Sequence, residues 1–251
     1  MGFLHEISRA ATSIASRYRL WVWGDQLRVG GKLIYRDPSV MTPNLIKTIA
    51  RGRYEKAERD LLEYMRERGF IARGDRVIEA GGGLGTLSMQ IADIVGKDAV
   101  QVFEPNPRTA EALRKNLLLN GYNIHVAVAA LIAEARTETA FLDSIGYDDF
   151  TISGTHRGRD RARLLTVPAI SLADAIVQFD PTVLVLDVEG AEFELLTCVS
   201  DWMRVRSIHL EIHPSSLSDN QVHAISSTLE QHRFQRMPIP TFDSYLALFV
   251  R

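Results

Sequence analysis

Short apolar runs alternate along the chain with stretches in which apolar residues return every three or four positions. The runs at 76–79, 99–103, 124–128, 183–186 and 208–212 have the length and the Val, Ile and Phe content of buried strands. Helical spacing places helices at 87–95, 108–119, 172–178, 192–199 and 220–232. Strands that alternate with helices imply a parallel sheet covered on both faces, because each crossover must pack back onto the sheet it left. A last run at 245–250 reads as a strand, and 234–237 pairs with it across the Pro238 to Pro240 turn. The predicted fold is therefore α/β, a doubly wound Rossmann-like sheet that is mostly parallel with an antiparallel C-terminal strand.

Upstream, Ala57, Leu61, Leu62 and Met65 fall on one face of a helix predicted over 54–68, with Gly69 as its stop signal. Before it, Gly30 and Gly31 punctuate a short strand pair with Leu33, Ile34 and Tyr35 in the second arm. Residues 1–22 carry a helical stripe of Phe3, Leu4, Ile7, Ile14, Tyr18 and Trp21. The chain thus divides into an N-terminal extension, 1–53, and a ligand-binding domain, 54–251.

Composition narrows the partners. At 251 residues the chain suits one generous domain, and 46% hydrophobic with 24% charged residues is an ordinary globular balance. A net charge of −2 supplies no broad cationic face for nucleic acid. The single cysteine, Cys198, excludes an internal disulfide and a multi-cysteine metal site and suits a reducing compartment, so a cytoplasmic location is expected. No apolar run approaches the ~20 residues that span a bilayer. The 1–22 stripe is read as docking on a core or a partner, with weak peripheral membrane contact and a homo-oligomer left open.

The most informative segment is Glu79-Ala80-Gly81-Gly82-Gly83-Leu84-Gly85-Thr86, where a strand runs into a glycine-rich turn and then a helix. Gly81, Gly83 and Gly85 permit positive φ and close approach of a ligand at the carboxyl edge of the sheet. A dinucleotide fingerprint would want Gly or Ala where Thr86 stands. Glu79 at the strand tip would also repel a pyrophosphate, whereas it favours the ammonium and sulfonium of S-adenosylmethionine. The pattern is close to the first motif of class I methyltransferases. Glu104, at the tip of the next strand, is placed to accept hydrogen bonds from a ribose diol, with Asn106 beside it. Capping of the helix that starts near Pro107 is the alternative for Glu104.

On these residues the chain resembles the FkbM family of S-adenosylmethionine-dependent methyltransferases, from about residue 54 to 213. The further motifs are Phe103-Glu104-Pro105-Asn106-Pro107, the 116–120 segment between Asn116 and Asn120, Ser171-Leu172-Ala173-Asp174, Asp187-Val188-Glu189-Gly190-Ala191-Glu192 and Glu211-Ile212-His213. The family usually has Asp-x-Gly-Ala-Asn-x-Gly in its first loop, so a side-chain contact to the cofactor is missing here. The resemblance implies a class I fold and methylation of a hydroxyl on a sugar, glycolipid or natural product.

An alcohol must lose its proton during such a transfer, which calls for a general base or a metal. Asp187 follows the strand at 183–186 and shares the rim with Glu79 and Glu104; Glu189 and Glu192 follow, and Glu211 and His213 end the next strand on one side. Asp187, Glu189, Glu211 and His213 are the candidate catalytic residues. Helix-terminal roles are the alternatives for Asp187 and Glu192. An oxygen cluster of Asp187, Glu189 and Glu211 suits Mg²⁺. The run from His156 to Arg163 offers basic residues at alternate positions, read as a solvated face or as a contact to an anionic glycan acceptor. Two other readings stand beside this one: a nicotinamide-dependent oxidoreductase, and a nucleoside-binding protein without catalysis.

Overall fold

A computed structural model describes residues 25–134, 137–143, 151–152, 163–240 and 245–251. Its centre is a seven-stranded sheet in the order β12-β13-β11-β10-β3-β4-β5. The strands are β3 (Val77–Ala80), β4 (Val100–Phe103), β5 (His125–Ala127), β10 (Val183–Leu186), β11 (Ser207–Glu211), β12 (Gln235–Arg236) and β13 (Leu246–Val250). β5, β4, β3, β10 and β11 run parallel; β13 is antiparallel to both β11 and β12. The chain leaves β3 toward β4 on one side and reaches β10 on the other, so the strand order reverses between β3 and β10. Open α/β sheets bind ligands at such a reversal.

The pleat sends successive side chains to opposite faces. Val77, Val102, Val183, Val185, Leu246 and Leu248 join one apolar cluster, with Leu61 and Leu62 of α2 (Lys56–Glu67), Met89 and Ile91 of α3 (Thr86–Val95) and Leu113 and Leu117 of α4 (Pro107–Leu119). Ile78, Ala80, Leu184, Leu186, Ile208 and Phe249 join the other, against α5 (Leu172–Phe179), α6 (Glu192–Thr197) and α7 (Asp219–Gln231). By this parity Glu79 and His209 both fall on the α2–α3 face, in one cross-strand row with Val102 and Val185.

The hairpin expected around Gly30-Gly31 is β1 (Gln26–Val29) with β2 (Lys32–Tyr35), closed by glycines at φ 53° and 84°. A turn with two residues at positive φ matches the twist of antiparallel strands. Two asparagines of α4 and its C-cap dock this hairpin. Asn120 exchanges two hydrogen bonds with the Leu33 backbone, accepting at 2.9 Å and donating at 2.7 Å. Asn116, fully buried, accepts from the Tyr35 amide at 2.8 Å and donates to the Leu84 carbonyl in the glycine loop at 3.0 Å. Leu27, Val29, Ile34, Leu45 and Ile49 belong to the same buried cluster as α2–α4. Residues 26–50 are therefore part of the main core.

The sequence pattern omits α1 (Pro43–Ala50), an eight-residue helix whose Thr42 cap accepts from the Leu45 amide at 3.1 Å. It also omits a second sheet, order β6-β9-β7-β8, from β6 (Ala130–Ile132), β7 (Glu138–Asp143), β8 (Thr151–Ile152) and β9 (Arg163–Ser171). That sheet lies between β5 and α5 in the chain, and no strict apolar alternation marks its strands. The helix expected over 192–199 ends at Thr197. The helix expected over 1–22 lies outside the described residues, as does the basic run except for Arg163. No helix among the described residues is long and apolar enough to cross a membrane.

Asn116→Ala would remove the partner of the part-buried Tyr35 amide in β2 and of the buried Leu84 carbonyl in the glycine loop. We expect a loss of about 2–4 kcal/mol, seen as a lower denaturant midpoint at unchanged slope.

Candidate active site

The sheet reversal is tight. Gly81 has φ 87°, and a Cβ on it would lie 2.0 Å from the Asp187 carbonyl oxygen. Its amide donates to Phe103 at 2.9 Å and the Asp187 amide donates to Ala80 at 2.9 Å, so three strand tips are tied at one point. Gly85, at φ 85°, would clash with Leu113 at 2.4 Å. Gly83 also has positive φ, 53°. The turn needs glycine both for its backbone conformation and for its packing against β10 and α4.

Glu79 is 1% exposed and neither carboxylate oxygen has a hydrogen-bond partner. Burial pushes its pKa well above the usual carboxylate range, and the charges of Glu55, Glu104 and Asp187 push the same way. The Ser88 hydroxyl is close enough to oppose the shift without making a well-formed hydrogen bond. Glu104 is buried too, but satisfied: it accepts from the Asn106 amide at 2.9 Å and the Gly83 amide at 3.2 Å. Burial raises its pKa to about 7 against those two bonds. The helix cap is Asn106, whose side chain accepts from the Arg108 amide at 2.9 Å and from Thr109 at the 3.5 Å limit. The capping alternative for Glu104 thus falls to its neighbour.

Five residues expected near the reaction centre do meet, around the His213 ring. Nδ1 lies 2.5 Å from Glu192 Oε1. Nε2 faces Glu189 Oε2 at 3.3 Å, Asp187 Oδ1 at 3.6 Å and Glu211 Oε1 at 3.8 Å. Glu192 is the fully buried member; its Oε1 also accepts from the Gly190 amide at 3.0 Å. Glu189 and Gly190 take positive φ, 49° and 99°, which folds the turn after β10 back toward β11. His213 is the hub, and Glu192, which the sequence left outside the candidate catalytic set, is its shortest contact.

Desolvation alone would lower the His213 pKa, but the Glu192 hydrogen bond and the charges of Glu189 and Asp187 outweigh it and raise it to about 9. Asp187 retains 41% of its side-chain surface, yet Oδ1 is sealed from solvent without a hydrogen-bond partner. Loss of solvent around that oxygen, then Glu189, drives its pKa well up, with His213 opposing. His209 is buried with Nε2 3.2 Å from the Glu58 carbonyl, and burial lowers its pKa to about 4. Sequence reasoning missed Glu55, which precedes α2 and accepts from the Thr86 hydroxyl at the start of α3. Nothing in its local pattern sets it apart from the surface acids of that helix.

His213 holds a proton more tightly when folded, so its contribution to stability is full below pH 6.5 and is lost as pH rises through about 9. Glu104 gives the same sign lower down, lost between pH 4.5 and about 7. The melting temperature of the unliganded protein should fall from pH 5 to 9, and His213→Gln should flatten only the upper part of that fall. Gly81→Ala should destabilise by several kcal/mol, on the order of 2–4, in thermal or denaturant melts.

No curated protein matches this chain. Among solved structures it is similar to a methyltransferase from Pyrococcus furiosus, at 12% identity and a TM-score of 0.47, over 97% of this chain and 98% of that one. It is similar to a ribosomal protein L11 methylase from Lactobacillus delbrueckii subsp. bulgaricus, at 14% identity and 0.44, over 79% and 78%. A SAM-dependent O-methyltransferase from Thermotoga maritima gives 16% and 0.46, over 78% of this chain and 65% of that one. The family assignment rests on sequence: a family model described as Methyltransferase FkbM domain matches residues 90–236, more than half of the chain. That span includes Glu104, Asp187, Glu189, Glu192, Glu211 and His213, and this chain belongs to the FkbM methyltransferase family.

Proposed function

We propose that the chain moves the methyl group of S-adenosylmethionine to a hydroxyl oxygen of a carbohydrate-containing or natural-product acceptor. One observation carries the reading: a glycine turn flanked by buried carboxylates adjoins, across the β3–β10 reversal, a ring of four carboxylates around His213. Glu104, Gly81, Gly83 and Gly85 form the cofactor side. After its two amide bonds Glu104 keeps lone pairs for ribose hydroxyls. Asn106 supports it through the backbone amide while capping α4. A bound cation would hold Glu79 ionised against the burial that raises its pKa, whereas a pyrophosphate would only add to the repulsion, which argues against the dinucleotide alternative.

Asp187, Glu189, Glu211 and His213 form the acceptor side. In the transfer the acceptor oxygen bonds to the methyl carbon, the sulfur keeps the electron pair of the broken bond, and the hydroxyl proton leaves. Much of the rate can come from holding oxygen, carbon and sulfur in line. With a pKa near 9, His213 is an imidazolium at neutral pH, so it serves to hold charge. Asp187 takes the proton: burial of Oδ1 raises its proton affinity, and the imidazolium 3.6 Å away keeps it ionised until transfer. Glu192 fixes the imidazole by its Nδ1 bond.

A divalent ion is a second reading, favoured by one observation. Asp187, Glu211 and His213 can each bring a donor atom within 4.8 Å of the others. An imidazole oriented by a carboxylate suits a transition ion, whereas Mg²⁺ would prefer the all-oxygen set with Glu189. Such an ion would lower the pKa of the bound hydroxyl.

Calorimetric titration should show S-adenosylhomocysteine binding, weakened at least ~10-fold in Glu104→Ala. Unchanged affinity would remove Glu104 from the site. Asp187→Asn should bind the cofactor normally and lose at least ~100-fold in turnover. Acceptors can be found by mass spectrometry of glycans and natural products incubated with isotopically labelled cofactor. Turnover that survives a chelator rejects the ion; loss reversed by Mn²⁺ and not by Mg²⁺ supports the histidine-containing donor set.

A further inference from the structure

Glu55 stands directly before α2 with φ 45°, a left-handed backbone that is costly for a residue with a side chain. An acid in that place would normally cap its own helix by accepting from first-turn amides. Glu55 makes no such bond. Its carboxylate is turned across to α3, where the Thr86 hydroxyl donates to it, and the Tyr54 side chain is a second donor. Thr86 is the residue immediately after the glycine turn and is itself 1% exposed. Two hydroxyls therefore hold a half-buried carboxylate beside the loop.

Close by, Glu79 presents a second carboxylate, 1% exposed and with neither oxygen bonded to anything. Burial without a partner is costly for a carboxylate unless a ligand supplies the missing charge or donors. Thr86, which holds Glu55, starts α3 directly after the glycine turn that follows β3, and Asp187 follows β10, the strand paired with β3 through Glu79 and Val185, so the three acids border the β3–β10 reversal. That place calls for a cation. Of the two, Glu79 is 1% exposed and Glu55 is only partly buried, so Glu55 is the acid nearer the surface.

We propose that Glu55 receives the α-ammonium group of the cofactor, so that the amino-acid end of S-adenosylmethionine lies beneath the N-terminus of α2. This rests on the cofactor reading above. The tips of β4, β3 and β10 carry Glu104, Gly81 and Asp187 in that order, so a cofactor with its ribose on Glu104 and its methyl group toward Asp187 would have to pass Gly81. Its charged end then meets the Glu55–Glu79 side of the crevice. Glu55 lies outside residues 90–236, so this contact belongs to the part of the chain the family match does not reach.

The test separates the ammonium from the rest of the ligand. S-adenosylhomocysteine keeps the amino-acid end, whereas methylthioadenosine has the same nucleoside and thioether without it. In wild type the former should bind more tightly. Glu55→Gln should weaken S-adenosylhomocysteine at least ~10-fold and leave methylthioadenosine within about twofold. Equal weakening of both ligands would mean that Glu55 acts only by holding the loop, and no weakening of either would mean that it contacts nothing; each result overturns the proposal. If Glu55→Gln does not fold, Thr86→Val provides the second variant: it frees the carboxylate from its anchor and should reduce the preference for S-adenosylhomocysteine in the same direction, an unchanged preference counting against the proposal. Wild-type protein that binds neither ligand would defeat the cofactor reading itself, an outcome distinct from failure of the Glu55 contact alone.

Discussion

Buried carboxylate with too little protein cation to answer it is the constraint on which the rest of this structure depends. Glu79, Glu104 and Asp187 have raised pKa values because burial disfavours their charged forms, with repulsion from other acids adding to it at Glu79 and Asp187. Only Asp187 has a histidine cation opposing the rise. A fold gains nothing in stability from such a group, since an apolar residue of similar volume would avoid the desolvation cost. The arrangement makes physical sense where a bound cation completes it, and the sulfonium cofactor of methyl transfer carries two positive centres.

Backbone geometry explains how these acids come to one place. Parallel strands bring their carboxyl ends to one rim, and the reversal of strand order between β3 and β10 opens a crevice there. The tips of β4, β3 and β10 carry Glu104, the Gly81 turn and Asp187 in that spatial order. Asn116 ties the glycine turn to the β1–β2 hairpin through two hydrogen bonds. The hairpin thereby supports the loop from behind, which gives residues before 54 a part in shaping the cofactor side.

Much of this was legible in the sequence because it depends on short-range signals. The apolar runs of β3, β4, β10 and β11 and the glycines at 81, 83 and 85 announce strand, turn and rim without any knowledge of packing. The meeting of Asp187, Glu189, Glu192 and Glu211 around His213 follows from their places at and just after two adjacent strand ends. What escaped depends on contacts across the fold. The second sheet pairs β6 with β9 and β9 with β7, partners up to some forty residues apart with no alternation to mark them. Glu55 reads as an ordinary helix-start acid until α3 is seen beside it. The distinction between Glu104 and Asn106 as helix cap also needed coordinates, since either side chain has the chemistry for it.

The same contacts bind the two halves of the site to each other. A Cβ on Gly81 would overlap the carbonyl of Asp187, so the glycine turn and the β10 tip share one backbone contact. Displacing either by a few tenths of an ångström displaces the other. In-line transfer requires sulfur, carbon and oxygen to be held together within narrow limits. On the proposed reading that alignment would be set by main-chain packing at the sheet reversal. Glu192 extends this to the proton: buried at the start of α6, it fixes the ring of His213 at the end of β11, and through that ring the charge beside Asp187. In the proposed reaction, deprotonation of the acceptor would therefore depend on where Glu192 holds that ring, just as placement of the methyl donor would depend on Gly81.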